Sequence, residues 1–216
     1  MIDLENLTIG YRKDDPLVEV SLSLPENGIY AVVGKNGSGK SSFYKTLMGI
    51  LPPLGGEISG IQQEDVLLIS DYTGLPGEVR LKDLCDLLLV TKEDIENVLD
   101  GQPLSIYDQP IQHLSSGQKK IAEITLGLLR RKKVLLFDEA ANALDDENTH
   151  QFHECIQDAS ASALVLYTTH NLQEIIDLQI PILCIRDKKI ILYEPARDVN
   201  EIREIIGSNT MGRKSK

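Results

Sequence analysis

The chain has 216 residues, of which 33 are Asp or Glu and 22 are Lys or Arg, so its formal net charge is −11. That balance works against broad binding to nucleic acid, whose phosphates need a cationic footprint. Its longest apolar runs, such as Ile29–Val33 and Ala163–Tyr167, are about five residues long, far short of the roughly 20 that span a bilayer.

With 42% apolar residues the chain can build a real core. Its length fits a single domain over 1–216. The start Met1-Ile2-Asp3-Leu4-Glu5 lacks the basic and apolar stretches of a secretory signal. Cys85, Cys155 and Cys184 are widely spaced and form no C-x-x-C pair, which suits reduced thiols in a cytoplasm. No direct membrane insertion is expected.

The segment Leu17 to Leu24 alternates with period two, which places Val18, Val20, Leu22 and Leu24 on one face of a half-buried strand. Pro25-Glu26-Asn27-Gly28 turns the chain. Ile29 to Val33 is a continuous apolar strand that runs into a glycine-rich loop, and a helix follows from Ser42 to Met48. Val66 to Ile69, Val134 to Phe137, Leu164 to Tyr167 and Ile182 to Ile185 are short aliphatic runs of the kind found in parallel strands covered on both faces. Helical patterns at Lys119 to Arg131 and Glu147 to Asp158 alternate with them, so an α/β fold with a parallel sheet is expected.

Between Asp71 and Leu114 the pattern changes. Leu81, Leu84, Leu87 and Leu88 follow helical spacing, and Thr91-Lys92-Glu93-Asp94 fits a capping box. Helices with no strand between them predict a small helical lobe, residues 72–113, inserted into the sheet domain. The polar end from Ser208 to Lys216 reads as a frayed tail.

Gly34-Lys35-Asn36-Gly37-Ser38-Gly39-Lys40-Ser41 fits the phosphate loop G-x-x-x-x-G-K-[ST]. A triphosphate is a dense anion that needs converging N–H donors, a helix N-terminus and little side-chain bulk. Gly34, Gly37 and Gly39 supply the permissive backbone, and Ser41-Ser42 open the helix. Lys40 is placed for the β/γ oxygens and the Ser41 hydroxyl for Mg²⁺. Such a loop serves kinases, GTPases and ATPases alike.

Val134 to Phe137 ends in the carboxylate pair Asp138-Glu139, a Walker B pattern. Leu114-Ser115-Ser116-Gly117-Gln118 ends twenty residues before Asp138, and His170, in Tyr167-Thr168-Thr169-His170, lies thirty-two after it. This ordered set resembles the nucleotide-binding domain of ABC ATPases over nearly the whole chain. The resemblance implies a P-loop sheet core with an N-terminal antiparallel β-subdomain, built from segments such as Ile2 to Ile9 and Leu17 to Leu24. It implies ATP and Mg²⁺ as cofactors and assigns adenine stacking to Tyr11.

By the same resemblance, the Leu114-to-Gln118 stretch is the LSGGQ signature with Ser116 in place of a glycine, and it faces the nucleotide held by another subunit. Ser115, Ser116, Gly117 and Gln118 thereby join Lys35, Asn36, Ser38 and Ser42 of the loop among the nucleotide contacts. Asp138 holds Mg²⁺, Glu139 orients or deprotonates the attacking water, and His170 contacts the γ-phosphate. Ala143-Leu144-Asp145 matches the loop that crosses the dimer interface, with Ala140-Ala141 in place of the usual Pro-Thr. After the strand Val66 to Ser70 the family carries a Gln, and this chain carries Asp71. As an anion, Asp71 is expected to ligate Mg²⁺ or to compete with Glu139 for the surroundings of the water.

Other charged clusters have simpler readings. His150, His153 and Cys155 read as a solvated helix face, because no second cluster completes four metal ligands. Arg130-Arg131-Lys132-Lys133 complements a helix C-terminal dipole better than it makes a nucleic-acid patch. Lys119 and Lys120 are expected to attract nucleotide phosphate across the dimer.

The implied function is ATP hydrolysis that drives a transporter. The chain would pair with a second copy, or with a paralogous ATPase subunit, around two ATP. A separate integral membrane permease would dock near Tyr72 to Arg80 and hold it, from the cytoplasm, peripherally on the inner face of the membrane. A soluble ABC ATPase of iron–sulfur assembly, repair or translation is the alternative. A P-loop kinase leaves the signature and the Glu139/His170 pair unexplained.

Overall fold

A computed structural model describes residues 1–70, 74–98, 106–142 and 144–207. Asp71, Tyr72, Ala143 and the 208–216 tail lie outside the described residues. Strands β1 (Ile2–Ile9), β2 (Val18–Leu24) and β3 (Gly28–Val33) precede helix α1 (Lys40–Leu47). After β4 (Gly55–Ser59) and β5 (Val66–Ser70) come three helices, α2 (Leu81–Leu88), α3 (Lys92–Val98) and α4 (Ser116–Leu129). The remainder alternates: β6 (Val134–Asp138), α5 (Asp146–Ser160), β7 (Leu164–Thr168), α6 (Leu172–Leu178), β8 (Ile182–Arg186), β9 (Lys189–Tyr193) and α7 (Val199–Gly207).

Among the described residues these strands form one nine-stranded sheet in the order β4-β1-β2-β9-β8-β3-β7-β6-β5. β8, β3, β7, β6 and β5 are parallel neighbours. β1 pairs antiparallel with β2 and with β4, the expected N-terminal antiparallel subdomain. The β8–β9 hairpin joins the two parts, since β9 also pairs in parallel with β2 at Glu19–Lys189.

The aliphatic runs are strands because both faces of the sheet are covered. In β7, Leu164 and Leu166 belong to one apolar layer, while Val165 and Tyr167 belong to the other. In β6, Val134 and Leu136 alternate with Leu135 and Phe137 in the same way. Helix α5 drives Phe152 into the second layer, edge-on to Phe137 at 5.2 Å and to Tyr167 at 5.6 Å between ring centroids.

A third apolar cluster belongs to the helical lobe, with Leu81, Cys85, Ile95, Ile106, Ile111 and Leu114 packed on Ile121, Ala122 and Leu126. Helix α4 joins the two regions, because its Ile124 belongs to the sheet-side core. Gly127 is part of that junction: a Cβ there would come within 2.7 Å of Ile69 Cδ1 and 2.9 Å of Leu67 Cδ2. Leu81 and Cys85 carry the buried face of α2, whereas Leu87 and Leu88 are exposed, which corrects their placement on that face. Spacing marked the helix, but the lobe's core lies on its other side.

Two polar arrangements inside the fold overturn expectations. Lys120 is buried, donates to the Ser70 carbonyl at 2.8 Å and pairs with Glu123 at 2.8 Å. It ties α4 to the end of β5 and does not face solvent where a phosphate would approach. His153 does not lie on a solvated face either, since its side chain keeps only 15% of its exposure. Its Nε2 lies 3.6 Å from Glu174 Oε2, and the Tyr167 hydroxyl donates to that same oxygen. His153 is one position from Phe152, so the helix face that buries Phe152 takes in its neighbour.

Burial would by itself raise the Glu174 carboxyl, but polar contacts from His153, Tyr167 and Thr169 outweigh it and hold the group below its usual value. The Tyr167 phenol is pushed far up, first by burial and then by Glu174. Burial pushes the thiols of Cys85, Cys155 and Cys184 up to about 11.

Two outcomes follow from this packing. Phe152→Ala removes a fully buried ring from a cluster with little room to collapse, and is expected to cost about 3–5 kcal/mol in urea denaturation. Because the Glu174 carboxyl has a lower pKa folded than its ordinary value of 4.5, ionised Glu174 adds stability that is complete above that value. This contribution is lost as pH falls through the folded pKa. Glu174→Gln should therefore flatten the fall in the urea midpoint between about pH 5 and pH 3.

Candidate functional site

Parallel pairing brings the C-terminal ends of β8, β3, β7, β6 and β5 to one edge, where open α/β sheets bind ligands. The register places Ser70 beside Asp138, and Asp138 beside Thr168, in one row at the ends of β5, β6 and β7. β3 ends at the same edge and passes directly into the loop 34–39 and α1.

That loop needs its glycines for two different reasons. Gly39 caps α1 in a left-handed conformation at φ 107°, and a Cβ there would come 2.8 Å from Val18 Cγ2. Gly34 is limited by space, since a Cβ would lie 2.6 Å from the Ile185 carbonyl oxygen. With no side chain at either position, the backbone closes into a tight cradle whose floor is the N-terminus of α1. The Ser38 N–H donates to the Lys35 carbonyl at 3.0 Å. Lys40 Nζ reaches back to the Gly34 carbonyl at 2.9 Å, so the ammonium spans the loop from inside. Ser38 Oγ is buried without a hydrogen-bond partner among the described residues. An unpaired hydroxyl, a lysine ammonium and first-turn N–H groups around one small cradle form a donor set that fits phosphate oxygens.

Ser41 projects from the first turn of α1 and donates to Asp138 Oδ2 at 2.9 Å, across ninety-seven residues of chain. A hydroxyl and a carboxylate, both hard oxygen donors, beside a phosphate cradle fit Mg²⁺, which takes few protein ligands and keeps contacts to phosphate and water. Asp138 Oδ1 accepts from Thr168 Oγ1 at 2.8 Å. Both carboxylate oxygens are therefore held.

Glu139 follows the end of β6 with φ 59°, a conformation unusual for a residue with a side chain. Its N–H donates to Thr168 Oγ1 at 2.9 Å and to the Thr168 carbonyl at 3.2 Å. Its carboxylate meets His170 Nε2 at 2.8 Å through one oxygen and Asn142 Nδ2 at 3.2 Å through the other. Glu139 keeps 31% of its side-chain exposure and His170 59%, so this pair opens to solvent, as an acid that meets water must.

The signature stretch forms the start of α4. Leu114 is buried and anchors it, and Ser115 is the N-cap, accepting from the Gln118 N–H at 3.2 Å while its own N–H donates to Gln118 Oε1 at 3.0 Å. The helix thus begins at Ser116, earlier than the pattern from Lys119 indicated. Capping uses a lone pair of the Ser115 oxygen and leaves its O–H to donate elsewhere. Ser115, Ser116 and Gln118 are exposed. Tyr11 is 66% exposed beyond β1.

The structure therefore brings together Gly34 to Ser41, Asp138, Glu139 and His170. Tyr11 and the turn 115–118 make no hydrogen bond to that group among the described residues, and Asp71 lies outside them. Sequence reasoning missed Thr168 and Asn142. For Thr168 there was a signal, a hydroxyl closing an otherwise apolar strand. Asn142 sits three residues after Glu139, within reach of a side chain in a turn.

A family model for ABC transporters matches residues 17–142. The chain is 28% identical to a lantibiotic transport ATP-binding protein, SrtF, of Streptococcus pyogenes, over 94% of this chain and 95% of that one. It is 29% identical to the energy-coupling factor transporter ATP-binding protein EcfA1 of Mycoplasmopsis pulmonis, over 95% of this chain and 87% of that one. A solved ATP-binding subunit of an ABC transporter shares the fold, with a TM-score of 0.76, 21% identity and coverage of 96% of this chain and 95% of that one. The family model covers more than half of the chain and these relatives match it almost end to end, and the chain belongs to the ABC transporter family as an ATP-binding subunit.

Proposed function

We propose that this subunit binds Mg²⁺–ATP in the loop 34–42 and hydrolyses it with Glu139 as the group that orients the attacking water. The observation that carries this reading is the convergence of two separate segments on two consecutive carboxylates: Ser41 on Asp138 at 2.9 Å and His170 on Glu139 at 2.8 Å. Magnesium, when bound, offsets the phosphate charge and fixes the leaving oxygens. Ser41 and Asp138 would hold it. Lys40 exchanges its bond to the Gly34 carbonyl for the β/γ oxygens, and the loop N–H groups receive the rest of the anion. Glu139 directs a water toward the γ-phosphate, and His170 holds the Glu139 carboxylate and contacts the same phosphate.

In a single copy the signature turn makes no hydrogen bond to the phosphate loop, Asp138 or Glu139 among the described residues. In this reading Ser115, Ser116, Gly117 and Gln118 of a second copy, or of a paralogous ATPase subunit, complete the nucleotide contacts. Asp145 and the residues before it lie between the two sites. Tyr11 stacks on adenine, its ring free to do so. Each ATP then binds well only when it is touched from both sides, so nucleotide closes the pair and hydrolysis opens it.

No helix among the described residues is long and apolar enough to cross a membrane. The movement is handed to an integral membrane permease, which docks by the helical lobe and keeps the subunit at the inner face of the membrane. The relatives named for lantibiotic transport and for an energy-coupling factor transporter support the transport role.

Glu139→Gln is expected to lower ATP hydrolysis at least about 100-fold while stabilising an ATP-bound dimer in light scattering. Hydrolysis at the wild-type rate would remove Glu139 from this role. Asp71 directly follows Ser70, which lies level with Asp138 in the sheet. Asp71→Gln should retain hydrolysis with an altered rate or metal preference, whereas an Asp71→Ala chain with unchanged rate and Mg²⁺ dependence would exclude a metal-proximal role.

A further inference from the structure

We propose that Thr168 is a positioning residue for hydrolysis, its single hydroxyl setting both the metal-side and the water-side carboxylate residues. The inference rests on the reading of Asp138 and Glu139 given above. Thr168 is the last residue of β7 and is 1% exposed. Its Oγ1 has one proton to give and two oxygens within reach, Asp138 Oδ1 at 2.8 Å and the Phe137 carbonyl at 3.3 Å. The nearer and anionic acceptor takes it. The same oxygen accepts the Glu139 N–H at 2.9 Å. One hydroxyl therefore links consecutive residues of different function, as donor to Asp138 and acceptor from Glu139.

Each end of that link fixes something the chemistry needs. At Asp138, the donor on Oδ1 sets the plane of the carboxylate, so that Oδ2 faces Ser41 at the mouth of the phosphate cradle. At Glu139, the acceptor helps hold a backbone with φ 59°, which a residue with a side chain adopts only when its surroundings enforce it. That backbone turn carries the Glu139 side chain to His170, two residues beyond Thr168. The segment 168–170 thus grips Glu139 at its N–H and at its carboxylate. A chain of N–H to hydroxyl to carboxylate also polarises each member, and the burial of Thr168 keeps water from taking the place of its hydroxyl.

A purely structural role would predict that only folding suffers when the hydroxyl is lost. Valine keeps the branched shape of threonine and suits a strand, so Thr168→Val deletes the hydroxyl with little change in packing. Thr168→Val and Thr168→Ser would be compared with wild type by Mn²⁺ paramagnetic resonance titration in the presence of ADP, by ADP binding in EDTA, and by steady-state hydrolysis against Mg²⁺ concentration. The valine chain is expected to bind ADP in EDTA as wild type does, to bind Mn²⁺ about 10–100-fold more weakly, and to lose about 10–100-fold in kcat. Serine should recover most of both, because it restores the donor and the acceptor. Should the valine chain not fold, Thr168→Ala carries the same three measurements.

A folded valine or alanine chain with wild-type Mn²⁺ affinity and kcat, while Glu139→Gln is inactive, overturns the role of Thr168 and leaves the carboxylate assignment intact. A serine chain as impaired as the valine chain overturns it too, since the hydroxyl would then not be the active feature. Wild-type turnover by Glu139→Gln would instead strike the underlying reading.

Discussion

The parallel register of β5, β6 and β7 is the constraint from which the site is built. It sets Ser70, Asp138 and Thr168 in one row at the edge where the phosphate loop also emerges. Three residues far apart in the chain meet there because parallel ladders leave no other arrangement of strand ends. The polar contacts of the candidate site are then each a short step from that row: Ser41 across to Asp138, Thr168 across to both acids, His170 back to Glu139.

Behind the row, the sheet is held by polar groups placed where apolar packing alone would leave some freedom. On one flank, buried Lys120 bridges Glu123 and the carbonyl of Ser70. A buried ion pair contributes little net stability after desolvation, but breaking it leaves a charge uncompensated, so the position of α4 against β5 is sharply defined. On the other flank, Glu174, Tyr167 and His153 join α6, β7 and α5. These two clusters brace the outer strand β5 and the strand that ends in Thr168.

The phosphate cradle has a different character. Its closing contact, Lys40 to the Gly34 carbonyl, joins a cation to a neutral backbone oxygen, and an anion arriving at the loop is a stronger partner for the same ammonium. The carboxylate side is already organised, with both oxygens of Asp138 and both of Glu139 held by side chains. Pre-set acids and an exchangeable lysine suit a site that must admit and release a nucleotide on every turnover.

Local pattern by itself determined much of this protein. Four- and five-residue aliphatic runs are of the kind that strands covered on both faces produce, as the alternating layers of β6 and β7 bear out, and G-K-S after such a strand marked the cradle. The ordered set of phosphate loop, signature stretch, carboxylate pair and His170 carried the resemblance to ABC ATPases. Only the tertiary structure decided that Thr168 would touch Asp138 and Glu139, that Lys120 would turn inward to Ser70, and that His153 would leave solvent for Glu174. Periodicity reports which face of an element is apolar, not which distant element covers it or in what register. A hydroxyl or a charge at the edge of an apolar face finds its partner only when that register is set.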